Sequence, residues 1–223
     1  MAMWFAHLHF AHRAASCAEV DRHELAWGAL CCDVDKFTSV DRPVSHYGRE
    51  GLDFEPEEWG ARTRLSPEAI RHRRVFLAGY LSHMALDEAW YGWLQEQLGQ
   101  VDTGGWTGET TRAWNLVMDL ELRPGVALDL DFPFGVEEVL GHLRGAPAQA
   151  MRQAASAYIA WDGGPEAAGL HPLMQGFARL AHARLDTERE RVQRLVDACC
   201  SASLFQTSER FVNDAVVRFL AST

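Results

Sequence analysis

Apolar and polar positions alternate along this chain with a helical period, and the interruptions fall at recognisable caps and stops. Ser16-Cys-Ala-Glu19 has the spacing of a capping box, in which a Ser side chain and a Glu three residues on satisfy each other's backbone N–H groups. Helical apolar positions then continue to about Leu30, so a helix is predicted over this stretch, with Asp33 at its C-terminal edge. Residues 34–66 carry Pro43, Gly48, Gly51, Pro56 and Gly60 among many charges and predict a long ordered loop. Ser66-Pro67 opens the next helix, the Ser as cap and the Pro in the first turn, and Gly99 closes it after about Leu98. Within that helix, Val75 to Leu94 is apolar nearly all round, the pattern of a buried central helix.

The second half follows the same grammar. Gly104, Gly105 and Gly108 mark a turn, and Glu109 to about Arg123 reads as a helix that ends before Pro124 and Gly125. Residues 126–134 alternate like a strand, but Pro133 cannot donate to a ladder, so an extended loop is expected. Further helices are expected near 135–144, 147–161, 173–198 and 203–221, and no fixed-period repeat appears. The fold class predicted is all-α: one domain over 1–223, with residues 1–98 as a metal-binding core and residues 109–223 completing the bundle.

Composition narrows the function. Hydrophobic residues are 48% of the 223, enough for a substantial core. The formal net charge is −10, from 31 acids against 21 bases, which argues against stable nucleic-acid binding or attachment to an anionic membrane. The five cysteines, Cys17, Cys31, Cys32, Cys199 and Cys200, are odd in number and include two vicinal pairs, unlike a disulfide framework. They suit a reducing compartment, and Cys31/Cys32 lacks the Cys-x-x-Cys spacing of a zinc site. No basic, apolar leader opens the sequence, and the central apolar run is too short to span a bilayer; a cytoplasmic protein is expected.

The chemistry sits in the central helix. His83 and Asp87 are four residues apart inside its apolar run, so their side chains share one face. A carboxylate there is costly unless it is paired or coordinates a cation, and imidazole is a frequent companion of carboxylate around transition metals. A simple His–Asp pair in the core is the competing reading. Gly79, one turn earlier, lowers helix propensity but admits close approach of another backbone, as a crowded site needs. Seven of the ten histidines, namely His7, His9, His12, His23, His46, His72 and His83, lie in the first 83 residues. His72 is about 16 Å along the helix from His83 and cannot share its ion. His182 and Asp186 repeat the four-residue spacing, but their charged flanks predict a solvated surface.

Four segments in order resemble the zinc-dependent phospholipase C family: His7-Leu-His-Phe-Ala11, Trp27-Gly-Ala-Leu-Cys-Cys-Asp33, Ser45-His46-Tyr47, and Phe76 to Tyr91 with its Gly-Tyr-Leu-x-His-x-x-x-Asp core. The resemblance covers about residues 1–98. It implies an all-α fold with one or two zinc ions: Asp33, His46, His83 and Asp87 on one, and Asp87 bridging to a second held by His7, with His9 as a candidate to replace or join it. It also implies a phosphoesterase acting through metal-activated water on a phosphodiester or phospholipid head group, with Asp33 orienting or deprotonating that water. The alternative is a non-enzymatic helical domain with a structural zinc site, because no histidine follows His83 until His142. A small phosphoester or head group is the partner expected on the enzymatic reading; a homodimer is left open.

Overall fold

A computed structural model describes residues 4–36, 73–100, 108–132, 148–167, 169–201 and 204–221. Among these the regular structure is entirely helical, as the periodicity predicts. The helices are α1 (Trp4–Ala18), α2 (Arg22–Cys31), α3 (Arg74–Gln100), α4 (Gly108–Leu122), α5 (Ala148–Ala160), α6 (Pro172–Ser201) and α7 (Leu204–Ala221). A short 3-10 segment, Cys32–Lys36, continues directly from α2.

The N-terminal boundary differs from expectation. Ser16 does not cap a helix; it lies in the last turn of α1, its hydroxyl donating back to the His12 carbonyl at 3.0 Å. Glu19 takes a left-handed conformation (φ 54) and ends α1. Asp21 then caps α2, its carboxylate accepting from the Glu24 N–H at 2.7 Å. Two successive cap patterns, Ser16/Glu19 and Asp21/Glu24, are present, and the later one operates. Residues 126–132 form irregular chain, as Pro133 suggested. The helix expected at 135–144 and the start of the central helix at 66–72 lie outside the described residues.

α3 is the central helix. It packs against α1, α2 and α7, while α4 packs against α1 and α6. Trp27, Tyr80, Trp90, Trp114, Phe5, Phe10 and Phe76 are fully buried at their junctions. Three of these aromatics also find use for the polar end: Tyr80 donates to the Cys31 carbonyl at 2.8 Å, Trp90 to Asn115 Oδ1 at 3.0 Å, and Trp27 to the Asp129 carbonyl at 3.0 Å.

The crossing of α2 and α3 determines the site. Gly28 and Gly79 meet there backbone to backbone. A Cβ on Gly79 would lie 2.1 Å from the Leu25 carbonyl oxygen, and one on Gly28 would lie 2.0 Å from that of Phe76. No side chain fits between the helices, so both positions require glycine for space rather than for backbone freedom. This contact draws the end of α2, and with it Asp33, onto the face of α3 that carries His83.

Candidate metal centre

His83 is fully buried, one turn beyond the Gly28/Gly79 crossing. Its Nδ1 lies 2.7 Å from the Ala29 carbonyl oxygen, which can only accept, so Nδ1 carries the proton. In the neutral ring Nε2 is then the lone-pair nitrogen, and it points at carboxylates: Asp33 Oδ1 at 3.6 Å and Asp87 Oδ2 at 3.8 Å. A backbone carbonyl that fixes the tautomer of an imidazole in this way is the usual outer support of a metal-binding histidine.

Asp33 is also fully buried, at a position where the backbone leaves helical geometry (φ −89, ψ 15). Its Oδ2 accepts from the Trp4 indole at 2.9 Å, which turns Oδ1 toward His83. His7, buried on α1, brings Nε2 to 3.6 Å from Asp87 Oδ1. Its ring lies flat on that of His83, centroids 3.6 Å apart and 3° from parallel. Asp87, whose side chain is 20% exposed, is the outward edge of the group. Burial pushes its carboxyl up, while positive charge on the imidazoles of His83 and His7, when protonated, pulls it the other way, and the balance lies below the ordinary value.

The spacings decide what the group can do. At 3.6–3.8 Å the nitrogen–oxygen pairs are longer than hydrogen bonds. Two donors each about 2.0–2.2 Å from one zinc ion in a tetrahedron stand about 3.3–3.6 Å apart, close to what is found here. One donor atom from each of His7, His83 and Asp87 lies within 4.8 Å of the others, the arrangement of a cation site. Asp33 adjoins that trio on the His83 side rather than belonging to it. Two imidazoles and a carboxylate with a second carboxylate alongside form a donor set suited to a divalent transition metal.

Sequence reasoning named His7, Asp33, His83 and Asp87, and the fold brings these four together. His46 lies outside the described residues. His9 does not join His7: it is half-buried against Phe10, with Arg13 and Glu209 as its charged neighbours. Its imidazole is held below its ordinary pKa, chiefly by burial and then by Arg13. His12 is turned elsewhere, its Nδ1 2.8 Å from the Arg22 guanidinium. Burial foremost, then Arg22 and His9, lowers the His12 pKa to about 4 and keeps the ring a neutral acceptor. Cys31 is buried in apolar surroundings that push its thiol up, the reverse of what a thiolate ligand needs.

Two residues that no spacing flagged complete the surroundings. Trp4 was not among the candidates, although an indole N–H near the start of a His-rich helix is a suitable donor to a carboxylate. Asp119 gave no signal at all; in sequence it is one acid in an ordinary amphipathic helix.

No family model matches the chain, and neither a curated protein nor a solved structure does. The resemblance to the zinc-dependent phospholipase C family is therefore withdrawn. Three of its four segments carry residues of the cluster, and the fourth, residues 45–47, lies outside the described residues. Its hydrolase label goes too, and the assignment of Asp33 as a base for metal-activated water loses its support. The all-α fold and the clustering stand on the structure alone.

Proposed function

We propose that this protein is a metal-binding helical domain whose zinc ion is structural. His7, His83 and Asp87 hold the ion, and Asp33, 3.6 Å from His83 Nε2, stands beside them as the nearest side chain for a fourth position. The observation that carries this reading is the mutual approach of one donor atom each from His7, His83 and Asp87 to within 4.8 Å, in a largely buried setting. A zinc site closed by four protein side chains is the pattern of structural metal, whereas a catalytic site keeps a position for water. The placement of the ligands agrees. They come from α1, the 3-10 segment and α3, so one ion would staple three elements that are distant in sequence. A divalent ion would also neutralise the two carboxylates that the fold draws together around His83.

The buried thiols of Cys31 and Cys32 support placement in a reducing compartment. Among the described residues no helix is long and apolar enough to cross a membrane.

The test is metal content and coordination. Protein purified without chelator or metal-affinity resin should contain one zinc per chain by elemental analysis. Cobalt(II) exchanged into the site should give the intense visible bands of a tetrahedral centre. Substoichiometric metal that does not rise on adding zinc would end the proposal. Iron or manganese in place of zinc would correct the metal, and a cobalt spectrum that shifts with added azide would show an open, non-structural position.

A further inference from the structure

The first turn of α1 contains no acidic side chain. The first N–H groups of a helix have no partner inside it and must be satisfied from elsewhere. Here one of them, that of Ala6, is met from another helix. The carboxylate of Asp119, fully buried on α4, accepts the Ala6 N–H at 2.7 Å. Its other oxygen accepts the Tyr158 hydroxyl of α5 at 2.6 Å. The Tyr158 ring lies 5.3 Å from that of Trp4 and 5.0 Å from that of Phe5. A buried anion against a helix N-terminus is also favoured by the helix dipole.

The residue after Ala6 is His7, and the residue two before it is Trp4, which holds Asp33. Two components of the metal centre therefore depend on the position of this one turn. We propose that Asp119, braced by Tyr158, is a positioning residue of the metal centre: by capping the first turn of α1 from outside, it sets where His7 meets Asp87 and where Trp4 orients Asp33. The inference rests on the metal reading above. Asp119 does not touch the ion; it acts through backbone and indole. Tyr158 suits the task because burial, then the Asp119 charge, raises its ionisation well above the ordinary phenol value, so it remains a donor.

This differs from a general stabilising role. A cap that merely stabilises lowers the melting temperature by the same amount with and without metal. A cap that positions ligands changes affinity, by about 10–100-fold when such outer supports are removed from metal sites. It also changes the ligand field.

The experiment uses the full chain in wild-type form and as Asp119→Ala, Asp119→Asn and Tyr158→Phe. Zinc affinity is measured by competition with a chromogenic chelator, and the cobalt(II) spectrum is recorded for each. Asp119→Ala should lose at least tenfold in zinc affinity and shift or weaken the cobalt bands. Asp119→Asn should recover most of the affinity, because an amide oxygen can still accept from Ala6. Tyr158→Phe removes one hydroxyl at little volume cost; it should remain folded if Asp119→Ala does not, and should show a smaller loss of the same kind. Wild-type affinity and an unchanged cobalt spectrum in the folded variants would overturn the positioning role while leaving the metal reading intact. A wild-type chain that binds no metal would overturn both.

Discussion

The chain contains the pattern His-x-x-x-Asp twice on long helices, and the two copies have opposite fates. On α3, His83 is fully buried, its Nδ1 is fixed by the Ala29 carbonyl, and Asp87 and Asp33 both face its Nε2. On α6, His182 is half-buried and spends its Nε2 on the Gly163 carbonyl at 2.8 Å, anchoring the loop after α5. Asp186 stands 77% exposed, 4.0 Å from Arg189. The spacing is the same; the difference lies in what is packed on the face. α3 has α2 pressed against it at the Gly28/Gly79 crossing, and α1 alongside supplies His7. An i,i+4 pair is thus a permissive feature, and a third element brought close turns it into a candidate site.

The most severe disruption should come from His83→Ala. It removes one ligand and leaves the buried Asp33 and the partly exposed Asp87 without the imidazole between them, a loss of about 3 kcal/mol, the low end of the scale of broken buried ion pairs. Chelator should lower the melting temperature of the wild type, because metal bound only to the folded state stabilises it by about 2.7 kcal/mol at a hundredfold excess over Kd. Chelator should leave His83→Ala unmoved. His182→Ala should lose about 1 kcal/mol for its one hydrogen bond and retain full zinc content. Equal chelator sensitivity in the two variants, read by differential scanning calorimetry, would erase the distinction between the helices.

The next contrast uses glycine. Gly79→Ala places a Cβ 2.1 Å from the Leu25 carbonyl oxygen, where the backbone itself must shift. We expect a cost of about 3 kcal/mol, at the upper end for overpacking, together with weakened metal binding. Gly176→Ala on α6 meets no atom within 4 Å. There the helix should gain about 0.5–1 kcal/mol from the better propensity of Ala. Urea denaturation of the two variants should give shifts of opposite sign; the same sign would mean that the α2–α3 crossing tolerates a Cβ.

The smallest effect is expected at Asp186. Asp186→Ala should change stability by less than about 0.5 kcal/mol, the range of an ordinary surface substitution. Zinc stoichiometry should be unaffected, whereas Asp87→Ala should abolish it; zinc loss in Asp186→Ala would make the second copy a site as well.

Much of this was readable in the sequence, for local reasons. Helical periodicity predicted α3 to α7 to within a few residues where they are described, because side chains one turn apart share a face whatever surrounds them. The same rule placed His83 and Asp87 together and separated His182 and Asp186 by their flanks. It failed at the N-terminus: α1 was not predicted, and the chain breaks at Glu19 with Asp21, not Ser16, capping α2. The resemblance to a known family also misled, since short segments in order specify residue types and not descent.

What sequence alone determined about this protein is its class: helical, with seven of its ten histidines in the first 83 residues and a His–Asp pair in the apolar run of the central helix. Tertiary structure decided the site. His7, Asp33 and His83 are joined only because two glycines let α2 and α3 touch and because Asp119, more than 110 residues along the chain, accepts the N–H of Ala6. Neither fact has a local signature. A helix registers its own periodicity through neighbours three and four residues away, but the distance between two helices depends on the shape of both surfaces, and a cap supplied by another helix leaves no mark near the end it caps.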